Sequence, residues 1–349
     1  MNFRRSPHPP AVLLAKFLGC IALVAPFVAT SAAQAASPPT TCDQTKPTFK
    51  TSSTSGVVVA SCTANVPAGS TVLIHATSGL TVTDSSYEAR YGIGIDTTSP
   101  DSASVRYANV SSSADDSSAA TTLTKTGLAA GTHTFNLIVS RFDTSFYDPA
   151  GPGPVSLVAP SISVIVIPPE SDLRTCSAQN PQSNVTSSSD MTTVISCTID
   201  ADVPGNLVTI ANGWMAKQED SDGLQDRPEQ EYEAAVEVAV GAEGNAPTPV
   251  DDSTRFINVY QDGGGEDRDG DGTDKSASTQ AVSPVAAGSY TVHYRMSKFS
   301  DDSVGPGPVV QFNPTLSVIF VPDGSPDGAV CHDEMGSSGF STTSRTAVE

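Results

Sequence analysis

The stretch best suited to chemistry is Asp267-Arg268-Asp269-Gly270-Asp271-Gly272-Thr273-Asp274. Carboxylates at alternate positions, followed by glycine, let a tight loop wrap its oxygens around one hard cation, so Asp267, Asp269, Asp271 and Asp274 are candidate calcium ligands. The twelfth position of such a loop, where a bidentate Glu is expected, is Ser278, and no flanking helices are predicted. Two readings stay open: a calcium loop on a β scaffold, or an unliganded acidic hairpin tip.

Aromatic residues form the second candidate. The loop from Arg141 to Pro154 carries Phe146 and Tyr147, and the only tryptophan, Trp214, sits beside an acidic stretch from Met215 to Gln230. Exposed aromatics beside polar groups can stack on sugars or anchor a partner, whereas buried ones simply pack. Phe142 and Phe299 each follow a basic residue and precede a Gly-Pro-Gly-Pro return, so they read equally as caps on a core. Catalysis finds little support. The histidines His75, His133, His293 and His332 have no partner at a recognisable spacing, and the sequence contains no Gly-x-Ser-x-Gly, His-Glu-x-x-His or phosphate-binding glycine loop. A glycosidase that assembles two carboxylates from distant loops is not excluded by sequence alone.

Cysteines recur in pairs. Cys42 with Cys62 and Cys176 with Cys197 occupy matching places, with the second member inside Ser61-Cys62-Thr63 or Ser196-Cys197-Thr198. In an exported protein this spacing reads as one disulfide per repeat. Cys331 is left over, either as a free thiol or as the seat of an intermolecular bridge.

The elements that must position these residues come from an internal duplication. Gly151 to Pro168 (GPGPVSLVAPSISVIVIP) and Gly305 to Pro322 (GPGPVVQFNPTLSVIFVP) align without a gap and share ten of eighteen residues. Upstream of them, GTHTFNLIVS and GSYTVHYRMS match as a further strand. Tyr87 to Ile95 matches Tyr232 to Val240, and Ser104 to Val110 matches Thr254 to Val259. These segments are rich in β-branched residues or alternate at period two, with turn residues between them. Ala36 to Thr41 reads as a polar lead-in and Ser111 to Ala120 as a Ser/Asp/Ala loop; Met215 to Gln230 and Gln261 to Lys275 read as insertions of the second copy. With no sustained helical stripe, the expected fold is all-β: two tandem β-sandwiches, jelly-roll or immunoglobulin-like, with one disulfide each.

The segment Gly127-Leu128-Ala129-Ala130-Gly131-Thr132-His133-Thr134-Phe135, a polar turn feeding an apolar strand, resembles one found in bacterial jelly-roll domains of the tumour-necrosis-factor type, and less closely one in immunoglobulin-like modules. The resemblance covers about a tenth of each repeat. It implies a β-sandwich and transfers no functional residue.

Residues 1–35 have the zones of a secretory signal: basic Arg4, Arg5 and Lys16, an apolar run from Phe17 to Val28, and Ala33-Gln34-Ala35 as a cleavage site. The expected plan is therefore a signal over 1–35, a first sandwich over 36–168, a linker over 169–175, a second sandwich over 176–322 and a polar tail over 323–349. Without the signal's three basic residues, 15 of the 18 remain against 38 acidic ones, a net charge of −23. Such a surface repels nucleic acid, and no later stretch is a transmembrane segment. The expected product is secreted, to the extracellular space, periplasm or cell surface. Its expected role is non-enzymatic adhesion, matrix building or surface assembly, with an extracellular protein, a polysaccharide or its own copies as partner. The alternative is a calcium-assisted carbohydrate-binding module or a carbohydrate-active hydrolase.

Overall fold

The computed structural model describes residues 40–81, 87–110, 117–142, 153–215, 232–259, 275–299 and 308–326, all within one compact unit. The signal segment, Cys331, Phe146, Tyr147 and the acidic residues Asp267, Asp269, Asp271 and Asp274 lie outside the described residues.

The first repeat consists of β1 (Thr40–Thr45), β2 (Thr48–Thr51), β3 (Val57–Val66), β4 (Thr71–Leu80), β5 (Tyr87–Ile95), β6 (Arg106–Val110), β7 (Ser117–Thr126), β8 (Gly131–Arg141) and β9 (Val155–Ile167). One sheet runs β1-β9-β4-β7, with β2 continuing along β9, and the other runs β3-β8-β5-β6. Every pairing is antiparallel. Apart from β5 with β6, consecutive strands are not partners, because the chain crosses between sheets at nearly every step. With β1 and β2 taken as one interrupted strand along β9, that interleaving of eight strands is a jelly roll rather than an immunoglobulin sandwich, in which long stretches of chain stay within one sheet.

The second repeat retraces this order with β10 (Arg174–Gln179), β11 (Asn184–Thr186), β12 (Thr192–Ala201), β13 (Gly205–Met215), β14 (Tyr232–Ala242), β15 (Thr248–Pro249), β16 (Arg255–Val259), β17 (Lys275–Val285), β18 (Gly288–Phe299) and β19 (Val309–Pro322). Its sheets are β10-β19-β13-β17, with β11 along β19, and β12-β18-β14, with β15 and β16 on the outer side of β14. The most similar stretches of sequence, β8–β9 and β18–β19, are thus the last two strands of each sandwich, and each pair is split between opposing sheets.

Met215 closes β13 rather than opening the insertion, and three further readings of the sequence are corrected. Ser117 to Ala120 belongs to β7, Thr40 already begins β1, and Lys275 begins β17. These segments are polar or small-residue edge strands with little β propensity of their own, and pairing with β4, β9 and β13 decides their conformation.

Alternation sends one side of each strand inward. Ile74, Ile93, Leu123 and Phe135 are fully buried in the first sandwich, and Leu207, Val236, Val292 and Leu316 in the second. Each such side chain contributes about 2 kcal/mol by leaving water. A duplicated tyrosine ties the two sheets: Tyr87 donates to the Ser156 carbonyl at 2.9 Å, and Tyr232 to that of Val310 at 3.0 Å. The disulfides clasp the same sheets at their other margin. Cys42 on β1 joins Cys62 on β3, and Cys176 on β10 joins Cys197 on β12, each with Cα atoms 5.9 Å apart.

Both repeats bulge near the middle of the last strand, where Ala159 (φ 48°) and Asn313 (φ 45°) precede Pro160 and Pro314. A bulge is where a strand tolerates proline, since the missing N–H leaves no gap in the ladder.

Candidate functional site

The described titratable side chains mostly serve the scaffold. His133 Nδ1 meets Asp96 Oδ2 at 2.6 Å on the surface, and Asp96 also accepts from the Thr134 amide at 2.7 Å. That amide, with the imidazole, holds Asp96 below the usual carboxylate range. The Ala129 carbonyl and Asp96 in turn raise His133. Glu237 pairs with Arg295 across β14 and β18, where the first repeat places Gly92 opposite Ile138. Burial and the neighbouring Arg295 cation lower His293, and burial alone lowers His75, whose Nδ1 lies 2.9 Å from Thr122 Oγ1. Burial pushes the Tyr294 phenol up, keeping it neutral as the Gln311 amide donates to it at 2.6 Å. Among the described residues no three His, Cys, Asp or Glu side chains gather as a metal site. A cleft of about 160 Å³ lined by Arg90, Ser99, Pro100, Ile138 and Ser140 is smaller than the ~300 Å³ at which ligand pockets begin.

The constellation that stands out is Arg106 and what it touches. A short 3-10 turn at Ser102–Ser104, capped by the Asp101 carboxylate, delivers Arg106 to the start of β6. Its Nη1 donates to the carbonyls of Ala103 (2.9 Å) and Val105 (2.8 Å), within its own repeat. Its Nη2 crosses into the second repeat, reaching Asn212 Oδ1 at 3.2 Å and Thr315 Oγ1 at 3.1 Å on the outer face of β13–β19. The residue is fully buried. Desolvation lowers its pKa to about 10, a fall that the nearby Tyr91 and Tyr294 oppose, so it enters this seam as a cation at neutral pH.

Asn212 is the hub on the receiving side. Its amide nitrogen donates to Thr122 Oγ1 at 2.6 Å, and its Oδ1 accepts from Thr315 Oγ1 at 2.7 Å and from the Thr122 amide at 3.3 Å. The Ala120 amide reaches Ser276 Oγ at 3.4 Å. Thr122 and Ala120 lie on β7, the edge of its sheet, so the outer face of the second sandwich supplies acceptors to an edge that would otherwise point unpaired donors outward. Thr124 with Ser317 (2.7 Å) and Asn313 with the Val105 carbonyl (3.3 Å) extend the polar seam. Apolar packing of Leu73 and Ile167 with Ile319 and Val321, together with Leu173, closes it at the far end.

Aromatic rings continue the seam. Phe142 meets Tyr107 edge-on (centroids 4.7 Å apart), Tyr107 meets Trp214 edge-on (5.0 Å), and Trp214 stacks on Phe312 (4.3 Å). Two rings come from each repeat. Trp214, a candidate binding residue in the sequence, therefore serves the junction: it is half-buried, and its Nε1 has no acceptor among the described residues.

The second repeat has the same apparatus, uncovered. Arg255 stands where Arg106 stands, and its Nη1 donates to the carbonyls of Asp252 (2.6 Å) and Thr254 (2.8 Å), again three residues and one residue back. Phe256 follows as Tyr107 does, and Phe299 follows Lys298 as Phe142 follows Arg141. The two rings meet edge-on at 4.9 Å, and they are 57% and 41% exposed. Sequence reasoning matched the two segments but missed this role. The signal was available as an arginine followed by an aromatic at the same point of both copies.

No protein-family model and no curated protein matches the chain. Similar solved structures include PNGase F, a glycosylasparaginase from Flavobacterium meningosepticum, at 10% identity over 81% of this chain and 96% of that one, with a TM-score of 0.32. The tandem CBM22-1–CBM22-2 domain of Xyn10C from Paenibacillus barcinonensis matches at 8% identity over 80% and 93%, with a TM-score of 0.23. The infectious bursal disease virus VP2 subviral particle matches at 11% over 84% and 74%, with a TM-score of 0.27. At such identities and scores the likeness carries no inference about activity, and the fold rests on the strand order itself.

Proposed function

We propose that this chain is an exported binding and structural protein, an adhesion, matrix or surface-assembly component that works through its surface rather than by catalysis. The observation that carries the reading is the exposed Arg255–Phe256–Phe299 patch, mounted on a sheet edge of a disulfide-clasped sandwich. A cation beside two exposed rings on a rigid element has the composition of a recognition hot spot. Disulfides in both repeats suit an oxidising, extracytoplasmic setting. The signal-like residues 1–35 and the acidic balance support the same reading, and among the described residues no helix is long and apolar enough to cross a membrane.

The test is co-sedimentation of the chain lacking residues 1–35 with intact cells of its source, with their extracted polysaccharide and with its own copies. Each arm is run with calcium and with chelator while released product is monitored. Binding in at least one arm is expected, with no product, and Phe256→Ala with Phe299→Ala is expected to weaken it about tenfold. Absence of binding in all three arms, or product release, would overturn the reading. Loss of polysaccharide binding on chelation would instead favour a calcium-assisted glycan module.

A further inference from the structure

Each repeat carries two complementary surfaces. One, a plug, is the sandwich side made by the strand that begins with arginine, the neighbouring edge strand, and the phenylalanine that closes or follows the penultimate strand. The other, a socket, is the outer face of the sheet containing the final strand. Inside the chain the first repeat's plug (Arg106, Tyr107, Phe142, and the edge of β7) sits in the second repeat's socket (Asn212, Thr315, Trp214, Phe312). One plug and one socket are thereby used. One of each is left, on opposite repeats; the remaining socket is covered only at its far end, where Leu73 and Ile167 pack on Ile319 and Val321, and is open at Val158.

The leftover plug is Arg255, Phe256 and Phe299. Arg255 Nη2, the counterpart of the atom that Arg106 sends across the seam, has no partner among the described residues, and both rings are exposed. The leftover socket follows from the strand registers. β4 pairs with β9 through Thr77↔Ser161 and Gly79↔Val158, with a bulge between, just as β13 pairs with β19 through Asn212↔Thr315 and Trp214↔Phe312. Thr77 and Ser161 thus hold the places of Asn212 and Thr315. Their hydroxyls lie 2.8 Å apart and offer oxygens to a guanidinium, as Thr315 does to Arg106. Gly79 and Val158 hold the places of Trp214 and Phe312, and Val158 is 40% exposed. Where the second repeat's socket presents two large rings, the first repeat's presents a glycine and a valine. An incoming pair of phenylalanines would supply the missing aromatic volume.

We infer that the Arg255–Phe256–Phe299 plug of one molecule docks on the Thr77–Ser161–Val158 face of a second copy, so that the chain assembles head to tail. The inference rests on the binding reading above and names its partner. Plug and socket are different surfaces on different repeats, which makes the contact heterologous: it propagates from copy to copy unless a ring closes. A symmetric dimer would instead need the plug to bind itself.

Sedimentation velocity over a concentration series, on the chain lacking residues 1–35, tests this with two variants. Phe256→Ala with Phe299→Ala removes the plug, and Val158→Arg blocks the socket. All three positions are exposed, and circular dichroism with thermal melting checks that folding is intact. The wild type is expected to grow in mass with concentration beyond a dimer. Each variant alone is expected to associate at least about tenfold more weakly, and an equimolar mixture to stop at a heterodimer, because each variant keeps one working surface. A socket variant that assembles like the wild type, with no rescue on mixing, would overturn the head-to-tail contact in favour of phenylalanine meeting phenylalanine. A wild type that stays monomeric throughout would overturn self-assembly, yet the binding reading would stand if cells or polysaccharide still captured the chain.

Discussion

Asn212 shows how much one neutral side chain can organise. It satisfies a buried guanidinium, an edge-strand amide and two hydroxyls at once, and the residues that carry them are all buried. Asn212→Ala is expected to cost about 2 to 3 kcal/mol in urea unfolding, since hydrogen bonds to charged groups and orphaned buried donors lie at the upper end of the scale. Thr77→Ala at the matching place in the first repeat, where no arginine of the same chain arrives, is expected to cost less than about 1 kcal/mol at concentrations too low for copies to meet. Equal losses at the two positions would contradict the seam. None of this was legible locally. Arg106 and Arg255 sit in matching segments, SVRYANV and STRFINV, and make the same bonds to their own backbone; the neighbouring sandwich buries one and leaves the other exposed.

Strand pairing explains both what sequence reveals and what it hides. Central strands such as β4, β8 and β9 announce themselves, because burial on at least one face selects β-branched and apolar residues. The edges β1, β7 and β17 do not, since Ser, Ala and Thr there meet the requirements of pairing without a hydrophobic pattern. The duplicated cysteines were legible for the opposite reason: a cross-link between sheets fixes both residue type and spacing. Replacing Cys176 and Cys197 together by alanine is expected to lower stability by about 3 kcal/mol on the chain-entropy estimate, measured by denaturant midpoint under oxidising conditions. A loss under about 0.5 kcal/mol would mean that the strand ladders already fix the two sheets.

At the scale of the whole molecule, the two jelly rolls are joined as an edge laid against a face, and this asymmetry is the origin of the functional reading. A symmetric face-to-face junction would consume only equivalent surfaces on both repeats; here equivalent faces meet at one end, through Leu73 and Ile167 with Ile319 and Val321, while the hydrogen-bonded part sets different surfaces together and leaves the duplicates Arg255–Phe256–Phe299 and Val158 exposed. The acidic excess, 28 of the 38 carboxylates falling beyond residue 170, keeps free chains soluble and makes any self-contact dependent on salt. Hydrogen exchange followed by mass spectrometry at rising protein concentration tests the central claim most directly. The β6–β7 amides that face the second repeat, covered within the chain, are expected to be protected at every concentration, and the β16 amides that do not bond to β14 to exchange fast in dilute solution and slowly once copies meet. Exchange at β6–β7 as fast as at β16 in dilute solution, or no change at β16 while the chain assembles, would contradict the head-to-tail contact.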